Sequence, residues 1–557
     1  MTVPWKKRFF VGLGLFAVFA ALLLAYAHAS RYYPVDSDNA NVLLWARDVI
    51  SGNLLLSGWY LGTVSYYFSD ILFFTLALLV LPFKASTIHN VYAILYALSV
   101  AVFTWLAGRR GPQRWDWLGA CAAFAVLAFP ADSMGRYLLM GPMHMATFLW
   151  VALALIALDF APVDQGSELS DPSTERNSTR SLPWLRLALA SLFLSLALIS
   201  DTIVLYMAVV PILVISALRL LRLQGNRRVE LAVLGSCVAA VVLAKLFDVF
   251  VTASGGFILP ENAANLKAAF IDFPHLGENI QYTLHSLLLV FNANFFGMPV
   301  GLPTSIQILG FVGLSIIVYT AYRLLGALVS SLRPEPEAAS RRQNPDRIAT
   351  VACLGILIDV FCYAISNQAS GIASIRYLLP TLLYGGLLVG RYGVPQWRMI
   401  RHATPRREWA AAFCLACFSW LYVFTSRAVQ QPLVGPSPMK GLAQWLRARD
   451  LTDGYGTYWA ANIVTLESGG AVRVRPVLSP AGNITPFRWV AREDWYHNHR
   501  ANFLVVEYPT FGSVDVKRAT EWFGPAAERH EVYGYTVLVW NRDISPRLYL
   551  EQDPQKP

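Results

Sequence analysis

A succession of long apolar segments constrains the fold of this chain more than any other feature. A helix needs about 20 consecutive apolar residues to cross the hydrocarbon core of a bilayer. Charged residues make up 14% of the chain and hydrophobic residues 55%, whereas soluble domains carry about 25% charged residues. The sequence therefore predicts a polytopic α-helical membrane protein with about 11–13 transmembrane helices. We place the apolar segments at about 9–29, 66–83, 90–107, 117–130, 145–160, 183–199, 202–221, 229–250, 304–326, 348–366, 377–390 and 408–426.

Basic residues gather in short clusters between these segments. The formal net charge of +10 would by itself be compatible with a nucleic-acid partner, but clusters that alternate with spans are typical of topology determinants. We therefore predict no nucleic-acid partner, and a multi-pass protein of the inner (plasma) membrane in contact with its lipids. The intervals predicted to be cytoplasmic are 1–8, 109–116, 161–182, 222–228, 327–347 and 391–407.

Two apolar segments near the N-terminus do not fit a simple series of spans. The basic residues 6–8 and the apolar run after them resemble a signal peptide, but about 19 apolar residues are enough to span, which favours an uncleaved first helix. Either interpretation places residue 31 on the outer side. Segment 66–83 breaks the alternation of outer and cytoplasmic loops, so we predict that it lies along the interface or re-enters.

The last part of the chain has a different composition. Residues 427–557 are mixed polar, and about 130 residues can bury a core of their own. With the alternation of loops, this predicts a transmembrane domain over 1–426 followed by an extracytoplasmic soluble α/β domain over 427–557. Its predicted strands are 471–477, 502–508 and 535–540, and its predicted amphipathic helix is 440–450.

Two carboxylates stand directly after the first apolar segment, in the predicted outer loop at 30–64. Asp36 and Asp38 point the same way on an extended segment and diverge by about 200° on a helix. Either could cap the helix that begins near Asn39, because Asp is a preferred N-cap residue. The following residues, 39–60, are rich in Trp, Leu and Gly and suit a segment that lies on the membrane surface. The pattern therefore also fits a general base at a lipid–water boundary.

Three basic or titratable residues are predicted on the outer side, where the positive-inside rule does not expect them. Arg376, in SIRYLLP, stands at the outer start of a span, and Arg136 and His144, in GRYLLMGPMHM, occupy another outer loop. An arginine fork matches a phosphate bidentately, but an interfacial arginine can equally extend toward lipid headgroups. His144 has two interpretations as well, a phosphate contact or a neutral interfacial residue.

Four stretches of this sequence form one recognisable set of motifs. They are DVISGNLLLSGW after the acidic pair, GPMHMATFLW in the next outer loop, SD at a short outer turn, and RYLLP near a late helix. Together they resemble the GT-C superfamily of membrane glycosyltransferases, in a bacterial branch related in architecture to protein O-mannosyltransferases and lipid A aminoarabinose transferases. The chain lacks the Lys/His-Pro-Pro-Leu element that better-known branches carry after the first loop. The phosphate-binding residue of that loop is therefore unassigned.

The resemblance implies an inverting enzyme that moves a hexosyl or pentosyl group from a polyprenyl-phosphate donor to a glycan, lipid or protein acceptor on the outer face. It implies no required cofactor, and two carboxylates alone are an incomplete site for a divalent metal, which stays an open alternative. Asp36 matches the leading Asp of the family motif, so the resemblance ranks it first as the general base. The implied site comprises Asp36 or Asp38 as general base, Arg376, Arg136 and His144 for the donor phosphate, and Trp59, Tyr458 and Trp459 for the acceptor or sugar.

Other interpretations remain for some of these features. Tyr458 and Trp459 could stack on sugar faces, although aromatic residues in a small domain more often belong to its core. A transporter or flippase of lipid-linked sugars would also have many spans and outer cations, but the sequence shows no paired half-repeats with broken helices. A receptor with a membrane anchor would not need so many apolar segments.

Overall fold

The computed structural model describes residues 5–109, 115–141, 144–159, 183–221, 226–260, 269–332, 346–401, 404–426, 437–479, 482–497, 499–507 and 514–549. The predicted cytoplasmic loop at 161–182 and the predicted domain boundary at 427 lie outside the described residues.

Helices dominate the first 426 residues, in agreement with the apolar segments. Short π- or 3₁₀-helical turns interrupt or precede several of them, at Tyr67–Ile71, Leu205–Val209, Phe273–His275, Ile372–Leu378 and Val389–Gly393. The helices are α1 (Trp5–Ser30), α2 (Ser37–Ile50), α3 (Leu72–Leu78), α4 (Ala85–Gly108), α5 (Trp117–Leu127), α6 (Asp132–Met140), α7 (Met145–Leu158), α8 (Trp184–Ser200), α9 (Val210–Leu221), α10 (Arg227–Ala253), α11 (Leu276–Val290), α12 (Leu302–Leu332), α13 (Arg347–Ile365), α14 (Leu379–Leu388), α15 (Val394–Arg401) and α16 (Pro405–Thr425).

The described helices include several that can cross a membrane. Six are long and apolar enough to do so, or seven if the bent pair α5 and α6 counts as one span. This confirms the predicted polytopic α-helical membrane protein. Among the described residues, the bent pair and the four shorter apolar helices of 10–17 residues bring the number of apolar segments to 11, or to ten without Tyr67–Leu78, so the lower bound of the predicted 11–13 crossings is reached only if that segment also crosses. These shorter helices are Tyr67–Leu78, Met145–Leu158, Trp184–Ser200 and Leu205–Leu221.

Two predicted segments differ from simple spans. Segment 66–83 forms the short apolar helix Tyr67–Leu78, which falls below the about 20 residues that a span needs and so agrees with an interfacial or re-entrant placement. The predicted span 117–130 ends at Leu127 because Pro130 cannot continue the helical ladder. The chain then turns by 97° into α6, the helix that carries Arg136.

Helix α2 begins in the acidic stretch of the first loop, two residues before the start that the sequence predicts. Asp36 is its N-cap: its side chain accepts the backbone N–H of Asn39 (3.1 Å), and the Asn39 side chain accepts the backbone N–H of Asp36 (3.2 Å). This reciprocal capping box satisfies two backbone donors at the start of the helix. The capping interpretation therefore holds for Asp36, and Asp38 lies in the first turn.

Residues 437–549 form an α/β unit with a six-stranded sheet. The strand order is β4-β3-β2-β6-β8-β7; β2 is parallel to β3 and β6, and the other pairings are antiparallel. Side chains alternate between two cores, so Leu504 and Val506 lie in one core while Phe503 and Val505 lie in the other. The predicted α/β class is confirmed. The elements are β2 (Asp453–Gly456), β3 (Arg473–Leu478), β4 (Thr485–Pro486), β6 (Phe503–Val506), β7 (Glu528–Val532) and β8 (Tyr535–Val539), with α17 (Pro438–Ala448), α18 (Tyr458–Glu467), α19 (Val516–Phe523) and α20 (Pro546–Tyr549).

The first loop and this α/β unit are joined by a small antiparallel pair. Strand β1 (Trp59–Tyr60) lies beside β5 (Ala491–Arg492), with Trp59 opposite Arg492. Arg492 also forms an ion pair with Asp48 of α2 (2.9 Å). The loop and the unit therefore present one continuous surface at this end of the helix bundle.

A buried ion cluster lies at the C-terminal end of α4, the end away from the first loop. The guanidinium of Arg391, whose side chain is 3% exposed, is paired with Asp159, contacts Asp346 through Nε (2.8 Å) and donates to the carbonyl of Leu106 (3.0 Å). Arg109 adds a second cation to Asp159 (3.4 Å). The cluster joins residues next to α4, α7, α13 and α15, so it holds the bundle together where the apolar helices end.

We expect Arg391→Met to destabilise the protein strongly. Removing one partner of a buried ion pair leaves an uncompensated charge and costs about 3–5 kcal/mol. Thermal unfolding of the purified protein in detergent measures this loss. Arg228→Met is the matched control because Arg228 is exposed, and surface substitutions change the free energy of unfolding by about 0.5 kcal/mol or less. Equal stability of the two variants would contradict a structural role for the cluster.

Because Asp36 caps α2, two substitutions of this residue should differ in their effect on stability. Asp36→Ala removes the cap and should cost about 0.5–2 kcal/mol, whereas Asn caps a helix as well as Asp, so Asp36→Asn should cost much less. Both variants lose the negative charge, so the difference between them isolates the cap. Unfolding temperatures measured side by side give this difference, and identical values would show that the capping hydrogen bond contributes nothing.

Candidate functional site

Asp36 is engaged through both of its carboxylate oxygens. Oδ1 accepts the backbone N–H of Asn39 in the capping box, and Oδ2 is paired with the guanidinium of Arg136 in α6. The Arg136 side chain is 51% exposed and that of Asp36 is 19% exposed, so this ion pair lies at the rim of the site. Asp36 therefore joins α2 to α6, and a competing anion can reach Arg136 from solvent.

Asp38 has a different environment although it is only two residues away. Its Oδ1 accepts a hydrogen bond from the hydroxyl of Tyr458, and no hydrogen bond to its Oδ2 is found among the described residues. Burial raises the pKa of the Asp38 carboxyl to about 6, and repulsion by Asp36 adds to the rise. The Tyr458 hydroxyl and the charges of Arg376 and Arg136 oppose it. At neutral pH such a carboxylate is ionised and is a stronger base than an ordinary aspartate.

The N-terminus of α18 covers this part of the first loop. The Ser37 hydroxyl donates to the carbonyl of Trp459 (3.0 Å), the Asn41 amide donates to the Tyr458 hydroxyl (3.0 Å), and Asn462 donates to the Asn41 side chain. Both asparagines are buried. Because the α/β unit contributes these contacts directly, it is part of the site and not a separate attachment.

Arg376 approaches the pair from another direction. It lies in the 3₁₀ turn Ile372–Leu378, where its guanidinium stacks on the ring of Tyr377 (4.9 Å) and donates to the Tyr377 hydroxyl (3.1 Å). It attracts Asp38 electrostatically, yet no carboxylate lies within ion-pair distance of it in the part of the chain that the structure describes. Its charge is therefore not consumed by an ion pair.

His144 lies deeper than the two arginines. Its backbone has φ = 67°, a left-handed conformation that is uncommon outside glycine, and its Nδ1 contacts a carboxylate oxygen of Asp201. Both side chains are buried. The Asp201 carboxylate also accepts the backbone N–H of Ile203 (3.0 Å), so it both caps a turn and orients the imidazole. The His144 ring lies 5.9 Å from that of Tyr377, the residue whose hydroxyl accepts a hydrogen bond from Arg376.

The three predicted sugar-contacting aromatic residues have different positions. Trp459 is 38% exposed and stands beside Tyr458, whose hydroxyl binds Asp38. Trp59 is 2% exposed, its indole N–H donates to Asp48 (2.8 Å), and its ring meets Trp495 edge-on at 5.0 Å. The expectation that Trp59 contacts a substrate is therefore corrected: the buried ring offers no face to a sugar and instead joins the first loop to the α/β unit.

The structure thus brings Asp36, Asp38, Arg136, Arg376 and Tyr458 together at one place. His144 is more deeply buried and lies next to the Tyr377 ring. We did not predict from the sequence that the side chains of Asn39, Asn41 and Asn462 fix the loop, or that the Tyr377 ring lies under Arg376. The repeated asparagines of the DNAN stretch at 38–41 were the available signal, because amides at a helix start satisfy backbone and side-chain groups. Nothing in the sequence near Tyr458 indicates that it meets Asp38.

Acidic and metal-ligating side chains do not form a larger cluster here. Among the described residues, no group of three or more His, Cys, Asp or Glu side chains converges in a way that could hold a metal ion. Asp36 and Asp38 supply only two carboxylates, and a divalent cation that prefers oxygen needs more ligands than these.

Comparison with known proteins identifies similar folds but no similar sequence. No protein-family model matches the chain, and no curated protein matches it. The structure of ArnT from Cupriavidus metallidurans bound to undecaprenyl phosphate is similar with a TM-score of 0.53 and 12% identity, covering 97% of this chain and 99% of that one. The same protein in the apo state gives a TM-score of 0.43 with 12% identity and covers 98% of this chain and 100% of that one.

A third solved structure covers less of the chain. The oligosaccharyltransferase of Archaeoglobus fulgidus in its apo form gives a TM-score of 0.45 with 12% identity, covering 88% of this chain and 69% of that one. At this level of identity the likeness concerns the fold. Over nearly its whole length the chain has a fold similar to that of ArnT, a likeness that agrees with the predicted polytopic helical membrane fold followed by an α/β unit.

Proposed function

We propose that this protein is an inverting glycosyltransferase that moves a sugar from a polyprenyl-phosphate carrier to an acceptor on the outer face of the membrane. The observation that carries the proposal is the partly buried Asp38 carboxylate, which has a raised pKa, a free oxygen among the described contacts, and two arginines nearby. A strong base and phosphate-binding cations at a bilayer boundary are the two components that this reaction needs. The fold shared with ArnT, whose solved structure holds undecaprenyl phosphate, supports a polyprenyl-phosphate carrier.

Asp38 is the better candidate for the general base. Both oxygens of Asp36 are occupied, by the helix cap and by Arg136, whereas Asp38 has an oxygen to accept a proton. In an inverting transfer the acceptor hydroxyl attacks the anomeric carbon while the base takes its proton, and the bond from that carbon to the carrier phosphate breaks with its electrons going to phosphate oxygen. General-base assistance is typically worth about 10²–10⁴-fold.

The leaving phosphate needs its charge balanced. Arg376 is suited to this because its guanidinium is held by Tyr377 and not by a carboxylate, and a planar guanidinium can bind a phosphate through two parallel hydrogen bonds. Arg136 can contribute by exchanging its contact with Asp36 for one with the phosphate. His144, oriented by Asp201, lies beside Tyr377 and so helps to fix the residue that holds Arg376. The reaction as proposed uses no cofactor.

The proposed placement in the membrane combines this geometry with the distribution of basic residues in the sequence. The first loop and the α/β unit form one surface, and the sequence has its basic clusters in the intervals that we predict to follow the other ends of the helices. The positive-inside rule puts those clusters in the cytoplasm, so the site and the α/β unit face the outside of the inner membrane. The exposed ring of Trp459 beside Asp38's partner Tyr458 is suited to stacking on an acceptor sugar.

Asparagine variants test the base. Cells that lack the protein would be complemented with wild type, Asp38→Asn or Asp36→Asn at equal membrane expression, and their envelope glycans and lipid-linked sugars compared by mass spectrometry. We expect Asp38→Asn to lose transfer by about 10²-fold or more and to accumulate the lipid-linked donor, with a smaller loss for Asp36→Asn, which keeps the cap. If both variants restore every glycan that wild type restores, transfer by this site is refuted and transport of a lipid-linked sugar becomes the better hypothesis.

Substitutions of Arg376 test the phosphate contact. Arg376→Met should lower transfer by about 10-fold or more, because a hydrogen bond to a charged group is worth about 1.5–3 kcal/mol. Arg376→Lys should recover only part of this, since lysine keeps the charge and loses the fork. Lys84→Met is the matched control, an exposed cation on a neighbouring loop. Donor accumulation in cells distinguishes the three, and equal transfer by all of them would remove Arg376 from the site.

The pH dependence of transfer tests the protonation state. The pKa of Asp38 is raised to about 6, and only the ionised carboxylate accepts a proton, so transfer should be nearly constant above pH 7 and fall about tenfold per pH unit well below 6. Membranes from Asp38→Asn cells, which should hold accumulated donor, can be fused with wild-type membranes to start the reaction at each pH. A rate that does not fall between pH 7 and pH 5 would contradict the assignment of Asp38.

A further inference from the structure

We infer that Tyr458 of the α/β unit is a positioning residue for Asp38, so that this unit completes the site and does more than select an acceptor. The inference rests on the proposed function for its catalytic meaning, but the contact itself is a property of the fold. Residue 458 reaches Asp38 across 420 positions of the chain. Its proposed task is to hold the Asp38 carboxylate in one orientation and in its ionised form.

The hydroxyl of Tyr458 is itself held in place. It donates to Oδ1 of Asp38 and accepts the side-chain N–H of Asn41 (3.0 Å). Asn41 in turn accepts from Asn462, which also donates to the carbonyl of Val490 (3.2 Å). A donor whose own position is fixed by a second hydrogen bond orients its acceptor more strictly than a freely rotating hydroxyl can.

The surrounding contacts keep α18 against α2. The Asp48–Arg492 ion pair (2.9 Å) and the edge-on contact of Trp59 with Trp495 (5.0 Å) lie along the same interface. Tyr458 therefore cannot leave Asp38 unless a larger interface opens. The first loop and the α/β unit act as one body at the site.

The chemistry of the contact sets the direction of its effect. Burial raises the pKa of Asp38, and the hydroxyl of Tyr458 lowers it because it donates to the ionised form. Burial and the nearby Asp38 charge hold the pKa of Tyr458 itself well above its usual value, so the hydroxyl keeps its proton at neutral pH and stays a donor. Without it, Asp38 would be protonated at a higher pH and would be a base over a narrower range.

The test measures the titration of Asp38 through stability, without requiring a substrate. The full-length protein would be purified in detergent as wild type, Asp38→Asn, Tyr458→Phe and the double variant, and unfolding temperatures recorded from pH 4.5 to 8. A carboxyl whose pKa is higher in the folded than in the unfolded state binds a proton on folding, so wild type should gain stability over Asp38→Asn as pH falls through about 6. A gain of roughly 1–4 °C is expected.

The same comparison in the Tyr458→Phe background gives the decisive result. If Tyr458 stabilises the ionised carboxylate, the gain should begin at a higher pH in Tyr458→Phe relative to the double variant. Ser37→Ala is the matched control, because it removes another hydrogen bond between α2 and α18, from the Ser37 hydroxyl to the Trp459 carbonyl, and leaves the hydrogen bond to the Asp38 carboxylate in place, so it should not move the onset. Coincident onsets with and without the Tyr458 hydroxyl, or an equal shift in Ser37→Ala, would overturn the inference.

Complementation in cells adds the functional readout. Tyr458→Phe should lower transfer by roughly tenfold in cells grown near pH 6 and by less near pH 8, while Tyr533→Phe, which removes an exposed hydroxyl from the same unit, should not. If wild type restores no glycan at all, the proposed function fails while the titration result stands. If wild type transfers and Tyr458→Phe matches it at both pH values, the positioning role fails alone.

Discussion

The start of helix α2 is the constraint on which the rest of the site depends. Asp36 fixes it through the capping box and reaches across to Arg136 of α6, while Asp38 in the first turn is covered by Tyr458 of α18. A helix start held from two sides cannot rotate, so two carboxylates two residues apart keep different neighbours. The membrane bundle supplies one wall, the α/β unit supplies the other, and neither alone would define the site.

Because the neighbours differ, two chemically identical side chains have different properties. The Asp36 oxygens accept hydrogen bonds from a backbone N–H and a guanidinium, so this residue has a structural role. Asp38 is buried beside another negative charge, which raises its pKa to about 6, and it depends on Tyr458 and on two arginines to remain ionised. Placing a reactive carboxylate at a lipid–water boundary costs solvation, and the hydrogen bonds and charges around Asp38 offset part of that cost.

Periodic and local features of the fold could be predicted from sequence, and contacts between distant segments could not. Apolar runs gave the helical bundle, and alternation gave the strands of the α/β unit, because both follow from the side-chain period of a single element. Asp36, Asp38, Arg136 and Arg376 could be singled out as candidates because charges stand out in an apolar chain. The contact between Tyr458 and Asp38, and the burial of Trp59 against Trp495, depend on how two units dock. The side-chain period of a single helix or strand carries no information about how two units dock.

The absence of the basic element after the first loop has a structural counterpart. The cations near the acidic pair come from α6, which carries Arg136, and from the turn before α14, which carries Arg376. Arg136 is exposed and paired with Asp36, whereas Arg376 is held by Tyr377 and attracts Asp38. Each arginine thus faces a different carboxylate. A phosphate that drew Arg376 away would also remove a charge that keeps Asp38 ionised, so donor binding and the strength of the proposed base are coupled through one guanidinium.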